Sequence, residues 1–356
     1  MTTRRFRSED GDLDLLYADV AEHDLQPLWL LDGLMSREPE LGGAYVWRGK
    51  ELRSLMERAG ELVTIDRGGD RRVLGLANPH LGGAPYATST LWGAVQYLRP
   101  GEVAPAHRHS PGALRFVVEG SGVWTVVDGD AISMGPGDLV LTPPWTWHEH
   151  HNSGASPMVW FDGLDLPLLR SLDAVFFEQG PDAEVDRQTP ERSASERRFG
   201  SGPGLLPLGG GVPAHYSPLF AYRRADTDAA LGALVADAQG GPAALRFVDP
   251  ASGRDVMTTM RCEMHRVPQG RVTAPSRTVG SSIFVVFEGS GEATVGGERF
   301  ALEPGDILAV PSYASWSFAA ASDTDLFRVS DAPVLEALGL DRPRFSRDGE
   351  SPRAAR

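Results

Sequence analysis

Residues 105–152, PAHRHSPGALRFVVEGSGVWTVVDGDAISMGPGDLVLTPPWTWHEHHN, decide how this chain folds. Of its nine histidines, His107, His109, His148, His150 and His151 fall here. Between the two clusters run short apolar segments, broken by Glu119-Gly120, Asp128-Gly129 and Gly135-Pro136-Gly137, which have turn chemistry. Side chains alternate across a strand, so His107 and His109 point the same way, roughly 6–7 Å apart. A second strand carrying His148 can bring a third imidazole beside them. That pattern predicts a metal site inside a small barrel, not histidines scattered over a surface.

The β texture extends outward from this segment. Candidate strands are Trp92–Leu98, Leu114–Glu119, Gly122–Val127, Asp138–Leu141, Thr146–His151 and Met158–Phe161, with a further turn at Pro100-Gly101. Short strands at this spacing fit a double-sheet jelly roll or small barrel. The pattern then recurs. FVVEGSGVWTVVDGD (116–130) matches FVVFEGSGEATVGGE (284–298) with a small gap, and GPGDLVLTPPWTWH (135–148) matches EPGDILAVPSYASW (303–316). A repeat of this length means two similar domains in tandem. Carried through the alignment, His107, His109 and His148 become Ser276, Thr278 and Trp316. The second copy should fold alike and bind no metal at the equivalent place.

Around these domains the texture is helical. Residues 11–35 bring Leu13, Leu16, Tyr17 and Val20 to helical spacing, and 50–60, Leu168–Phe177 and Asp226–Ala236 also read as helices. The Gly/Pro/Ser-rich, charged stretch at 180–215 reads as an exposed connector. The expected organisation is mainly β: an N-terminal helical arm (1–75), a metal-binding domain (76–165), a helical and Gly/Pro-rich linker (166–254), a metal-free second domain (255–330) and a C-terminal tail (331–356).

Composition bounds the function class. The 356 residues carry a net charge of −14, which disfavours nucleic acid and anionic membrane as partners. An anionic substrate would need a local basic group. The single cysteine, Cys262, excludes an internal disulfide and a cysteine-based zinc cage. No run approaches the ~18 apolar residues that span a bilayer. The N-terminal MTTRRFRSEDGDLDLL turns acidic before any apolar targeting segment begins, so a cytoplasmic location is expected.

An H-x-H pair alone is weak evidence for a metal. Here a third histidine follows a GD-x-x-x-x-P-P turn, and the sister domain lacks all three. Neutral imidazole suits Zn, Fe, Cu or Ni. Three nitrogen ligands leave positions open, the arrangement of a catalytic site. His150 shares a strand face with His148, as a fourth ligand or as an acid/base or oxygen-side hydrogen-bonding group. His151 faces the other way, as a packing or surface histidine. Arg115 shares a face with Val117 and Glu119, opposite Leu114, Phe116 and Val118. It is either a solvated strand charge or, beside a metal, a two-pronged partner for a carboxylate. Trp92, Ala94 and Gln96 share a face of the preceding strand and could wall the pocket, Ala94 setting its width. Trp160 and Asp162 share another, and Asp162 could orient a ligating imidazole. Trp145 and Trp147 are as well explained by core packing as by a part in the site.

At APAHRHSPGALRFVVEGSGVWTVVDG, MGPGDLVLTPPWTWHEH and FDGLDLPLL, with RRVLGLANPHLGG and TLWGAVQYL upstream, the chain resembles the cupin superfamily. Within it, the resemblance is to the gentisate 1,2-dioxygenase family of ring-cleaving bicupins, densest from Arg71 to Glu178. Where cupins usually carry a glutamate ligand after the second histidine, this chain has Ala113 and Leu114, and the dioxygenases likewise show a three-histidine centre. The resemblance implies a mainly β bicupin, two tandem double-stranded β-helix (jelly-roll) barrels. It implies one Fe(II) per subunit in the first cupin, held by His107, His109 and His148, with O2 as co-substrate. It implies ring opening of gentisate between the carboxyl- and hydroxyl-bearing carbons, giving maleylpyruvate. His150, Arg115 and Asp162 would then be catalytic, and Arg115, Arg71 (or its neighbour Arg72), Gln96, Trp92, Ala94 and His150 would meet the substrate. A homo-oligomer, typically a tetramer, is implied too. Salicylate, amino- or nitrosalicylates and 1-hydroxy-2-naphthoate stay open as substrates. Outside the resemblance stand a non-enzymatic cupin and a zinc or manganese cupin.

Overall fold

Where the sequence alternates between apolar and polar residues and is punctuated by Gly and Pro, strands form and stack in pairs of sheets. The computed structural model describes residues 2–3, 11–32, 42–64, 67–68, 72–180, 190–200, 202, 205–209, 211, 213 and 215–341. The chain divides into a small unit, Met1–Glu40, and a large one, Leu41–Arg356. In the small unit the first helix is shorter than its periodicity predicts. It runs Gly11–Glu22 with none of its residues buried, and Asp24 at φ 53° turns the chain away from helix. The remainder of the predicted helix passes into a Leu28–Leu30 turn, and residues 33–35 lie outside the described set. Among the described residues no helix is long and apolar enough to cross a membrane.

The large unit is a bicupin. In the first cupin a six-stranded sheet faces a five-stranded one; in the second, six strands face four. The five-stranded sheet carries the histidines. Its order is Phe177–Gln179, Val103–His109, His148–Asn152, Val123–Val127 and Asp130–Ser133. The opposite sheet runs Ala221–Tyr222, Leu139–Thr142, Ala113–Glu119, Met158–Leu164, Trp92–Leu98 and Val73–Gly75. All six strands anticipated for this copy are present within a few residues of their expected ends.

Strand alternation sorts the Ala113–Glu119 side chains into two environments. Val117 packs inside the first cupin with Trp160 and Val127, while Leu114 and Phe116 join a cluster shared between the cupins. There Phe116 stacks on Phe327 of the second cupin, ring centroids 4.2 Å apart. The two cupins therefore share one core as well as each filling its own.

The repeat reaches further than the sequence alignment. Tyr45–Trp47, helix Gly49–Leu62 and Val73–Gly75 correspond to Ala221–Tyr222, helix Arg224–Asp237 and Ala243–Arg246. In each set the first strand pairs with the other cupin: Tyr45–Trp47 with Ile307–Val310, and Ala221–Tyr222 with Leu139–Thr142. Each junction is tied alike. Arg48 and the Gly49 N–H donate to Asp306, and Arg223 and the Arg224 N–H donate to Asp138.

Two expectations in the linker are corrected. The helix predicted to reach Phe177 stops at Ser171, because Asp173 adopts φ 52°; Phe177–Gln179 then adds to the edge of the histidine-bearing sheet. Within the supposed connector, Ala194–Phe199 is a helix with a Ser193–Glu196 capping box and buried Ser195, Glu196 and Phe199.

Candidate metal centre

His107 and His109 leave the Val103–His109 strand on one face, and His148 sits directly opposite His107 in the neighbouring strand. Ring centroids lie 4.3 Å apart for His107–His148, 4.8 Å for His109–His148 and 5.7 Å for His107–His109. One nitrogen from each ring falls within 4.8 Å of the others. The turn before His148 is built for this. Trp145 takes φ 68°, its N–H donates to the His109 carbonyl at 2.8 Å, and the Trp147 N–H donates to Asp128 at 2.8 Å.

The main chain fixes the imidazoles. Nδ1 of His107 meets the Pro105 carbonyl at 2.9 Å, that of His109 the Pro111 carbonyl at 2.7 Å, and that of His148 the Thr146 carbonyl at 3.0 Å. A carbonyl only accepts, so each Nδ1 carries the proton and each Nε2 keeps its lone pair. The His148 Nε2 is buried without a hydrogen-bond partner. Burial pushes the His109 imidazole down to about 4, with the His107 and Arg115 charges adding to the effect. Burial first, then Arg115, lowers His148 and His150 well below the usual range. Neutral imidazole with Nε2 as its remaining donor atom is the form a transition metal needs.

Beside the triad lies a cavity of about 280 Å³, bordered by Trp92, Gln96, Arg115, His150, Asp162 and Phe177 among others. Arg115 is buried, hydrogen-bonded to Thr142 Oγ1, with its Nε 3.4 Å from Asp162 Oδ1. Its environment is not that of a solvated strand charge. Burial lowers the guanidinium but a guanidinium stays protonated, so Arg115 is a buried cation facing the cavity. Burial raises the Asp162 carboxyl to about 6, against the pull of Arg115 and of the Trp160 N–H that donates to it at 3.0 Å. Asp162 thus holds Arg115; the orienting part foreseen for it at an imidazole is taken by backbone carbonyls. His150 bonds Thr125 Oγ1 through Nδ1, and its Nε2 has no hydrogen-bond partner.

Ala94 is fully buried and is not among the residues bordering the cavity, although it shares a strand face with Trp92 and Gln96. Arg72 is committed elsewhere, to Glu102 through bonds of 2.8 and 2.9 Å, and Arg71 lies outside the described residues. Trp145 is 55% exposed and packs on Phe176, and Trp147 lies under the Arg108 guanidinium at 4.7 Å; neither is a core residue. His151 stacks on Trp124, away from the triad, as expected. Sequence reasoning missed Phe177, whose ring stacks on His107 at 5.5 Å. Its one signal was a β-prone Phe-Phe pair at the end of a helical pattern.

The second cupin preserves the geometry and changes the chemistry. Ser276 pairs with Trp316 as His107 pairs with His148. Tyr313, at φ 66°, donates its N–H to the Thr278 carbonyl as Trp145 does to His109. By register, Arg328 stands where Asp162 does and Glu263 where Ala94 does. Burial disfavours the Glu263 charge, yet bonds from His265 at 3.0 Å and Arg328 at 2.8 Å outweigh it and hold the carboxyl at about 2. A depressed carboxyl stabilises the fold above its unfolded value of 4.5 and loses that contribution as pH falls toward 2. The shift corresponds to at most about 3 kcal/mol. Glu263→Gln should therefore lower stability at neutral pH, with the gap to the parent closing between about pH 4.5 and 2 in denaturant titrations. Parallel stability curves would remove this linkage.

Comparison with known proteins follows the same outline. A cupin domain model matches residues 94–164 and 263–329. A gentisate 1,2-dioxygenase from Streptomyces sp is 53% identical over 340 residues, covering 93% of this chain and 94% of that protein. A 5-aminosalicylate 1,2-dioxygenase from Comamonas sp is 34% identical, with 93% and 90% covered. The crystal structure of a salicylate 1,2-dioxygenase from Pseudaminobacter salicylatoxidans superposes with a TM-score of 0.90 at 47% identity, covering 94% of this chain and 98% of that one. The same dioxygenase solved as adducts with gentisate also gives 0.90, at 46% identity and 96% of each chain.

Proposed function

The chain belongs to the gentisate 1,2-dioxygenase family of bicupin oxidoreductases, and on that premise we propose that it opens gentisate with O2, between its carboxyl- and hydroxyl-bearing carbons, to maleylpyruvate. It is an aromatic ring-cleaving dioxygenase. The observation that carries the substrate class is a buried guanidinium, Arg115, on the same cavity as His107 and His109 of the triad and as His150. A cavity of about 280 Å³ suits a single-ring carboxylate, at the small end of ligand pockets.

His107, His109 and His148 would hold the metal, for which we propose Fe(II), one per subunit. A ferrous ion there supplies one-electron exchange with O2, which redox-inert zinc does not. The protein's own contribution is positioning. Arg115 presents paired donors to the substrate carboxylate, and Asp162 keeps that fork from turning away. Trp92, Leu164 and Phe177 give the ring apolar walls that displace water. Gln96 contributes a polar edge. His150, neutral and tied through Nδ1 to Thr125, can accept or give a proton at Nε2. A homo-oligomer, tetrameric as the resemblance implies, belongs to the same proposal.

The test is anaerobic reconstitution with Fe(II), then O2 uptake and product spectra with gentisate, salicylate, 5-aminosalicylate and 1-hydroxy-2-naphthoate. Gentisate should give the highest kcat/KM and a maleylpyruvate spectrum. Turnover of salicylate in preference to gentisate would reassign the substrate. Zinc content with no O2 uptake would reject the chemistry.

A further inference from the structure

The second cupin, which lacks the histidine triad, is tied to the first by a matched pair of carboxylates. Asp165 follows the Met158–Leu164 strand, and Asp331 follows Thr324–Ser330. Asp165 accepts the Gly112 N–H at 3.0 Å and the Thr259 hydroxyl of the second cupin at 2.6 Å. Asp331 accepts the Ser281 N–H at 2.9 Å and the Thr90 hydroxyl of the first cupin at 2.5 Å. Thr259 and Thr90 each stand two residues before the first long strand of their cupin, Arg261–Val267 and Trp92–Leu98. The two latches are thus counterparts, crossing in opposite directions.

Their surroundings differ. Gly112 lies between His109 and Arg115, next to the Pro111 carbonyl that receives the His109 Nδ1–H. The second cupin also braces this link sterically: a Cβ on Gly112 would meet Met257 Sδ at 2.8 Å and Met260 Cε at 3.6 Å. At the other latch Thr278 and Phe284 take the places of His109 and Arg115, so no candidate ligand imidazole follows it.

We propose that Thr259 is a positioning residue for the metal centre: through Asp165 and the Gly112 backbone it sets the Pro111 carbonyl, and with it the direction of His109 Nε2. The second cupin thereby serves the first as a fixed support. This rests on His109 being a ligand, as argued above. Thr90→Val is the control, since it removes the counterpart bond where no imidazole follows.

The experiment titrates the apo protein with Co(II) under anaerobic conditions, reading affinity and the visible ligand-field bands. Thr259→Val should weaken Co(II) binding by about 10-fold, the low end of the cost of losing a ligand's supporting contacts, and should shift the bands. Thr259→Ser, which keeps the hydroxyl, should restore both. Thr90→Val should lower thermal stability comparably and leave Co(II) affinity and bands at parent values. Parent-like Co(II) binding in Thr259→Val, or an equal loss in Thr90→Val, would overturn the proposal. If Thr259→Val does not fold, Thr259→Ala is read in the same way. His109→Ala separates the two levels of inference. Unchanged Co(II) bands in that variant overturn the ligand assignment itself, whereas altered bands there with a silent Thr259→Val overturn only the latch.

Discussion

Fe(II)-loaded His148→Ala should lose its metal and its ring cleavage together. His148 faces His107 across one strand pair, and its Nε2 is a buried acceptor with no hydrogen-bond partner. Two imidazoles cannot replace the third, because the nearest other histidine, His150, is held by Thr125 through Nδ1 on the far side of a register shift. The loss of affinity should exceed the roughly 10- to 100-fold that removing an outer hydrogen-bond partner costs. Iron should fall from near one per chain to trace after gel filtration, and O2 uptake with gentisate should fall in proportion. The apo protein should stay folded, since removing a desolvated imidazole offsets part of the cost of the void it leaves. Iron-loaded, active His148→Ala would take His148 out of the ligand set.

The triad was legible because two simple rules met. Strand alternation set His107 beside His109, and the Pro-Pro turn at 143–147 returned the chain with His148 in register. The repeat sharpened this, since Ser276 and Trp316 pair as their counterparts do. Phe177 was not legible. LPLLRSLDAVFF has helical spacing, and only an open sheet edge beside His107 and His109 makes its end a strand. Non-local pairing overrode local pattern. The strand-helix-strand units at 45–75 and 221–246 escaped notice for another reason. Their sequences share little beyond Arg48 and Arg223, each of which serves an aspartate distant in sequence. Of the adjacent arginines 71 and 72, Arg72 is bound to Glu102, and Arg71 lies outside the described residues.

Arg115→Met should leave the metal in place and weaken gentisate binding strongly. Truncating one partner of a buried hydrogen-bonded charge pair costs about 2–5 kcal/mol, or about 30- to 5,000-fold in affinity. Two effects are mixed in that loss. The substrate carboxylate loses its paired donors, and Asp162 is left buried without its cation. The second effect is a stability cost, and Asp162→Asn removes it by making the orphan neutral. The double variant Arg115→Met/Asp162→Asn should therefore recover thermal stability without recovering substrate affinity. Comparison of the singles and the double in a cycle separates the two contributions. Recovery of affinity in the double variant would make Arg115 a structural partner of Asp162 and nothing more. Loss of iron in Arg115→Met would place the guanidinium in support of the ligands instead. Retained iron, restored stability and persistent failure to bind a carboxylate together leave one account: Arg115 is kept as a buried cation because the substrate is an anion.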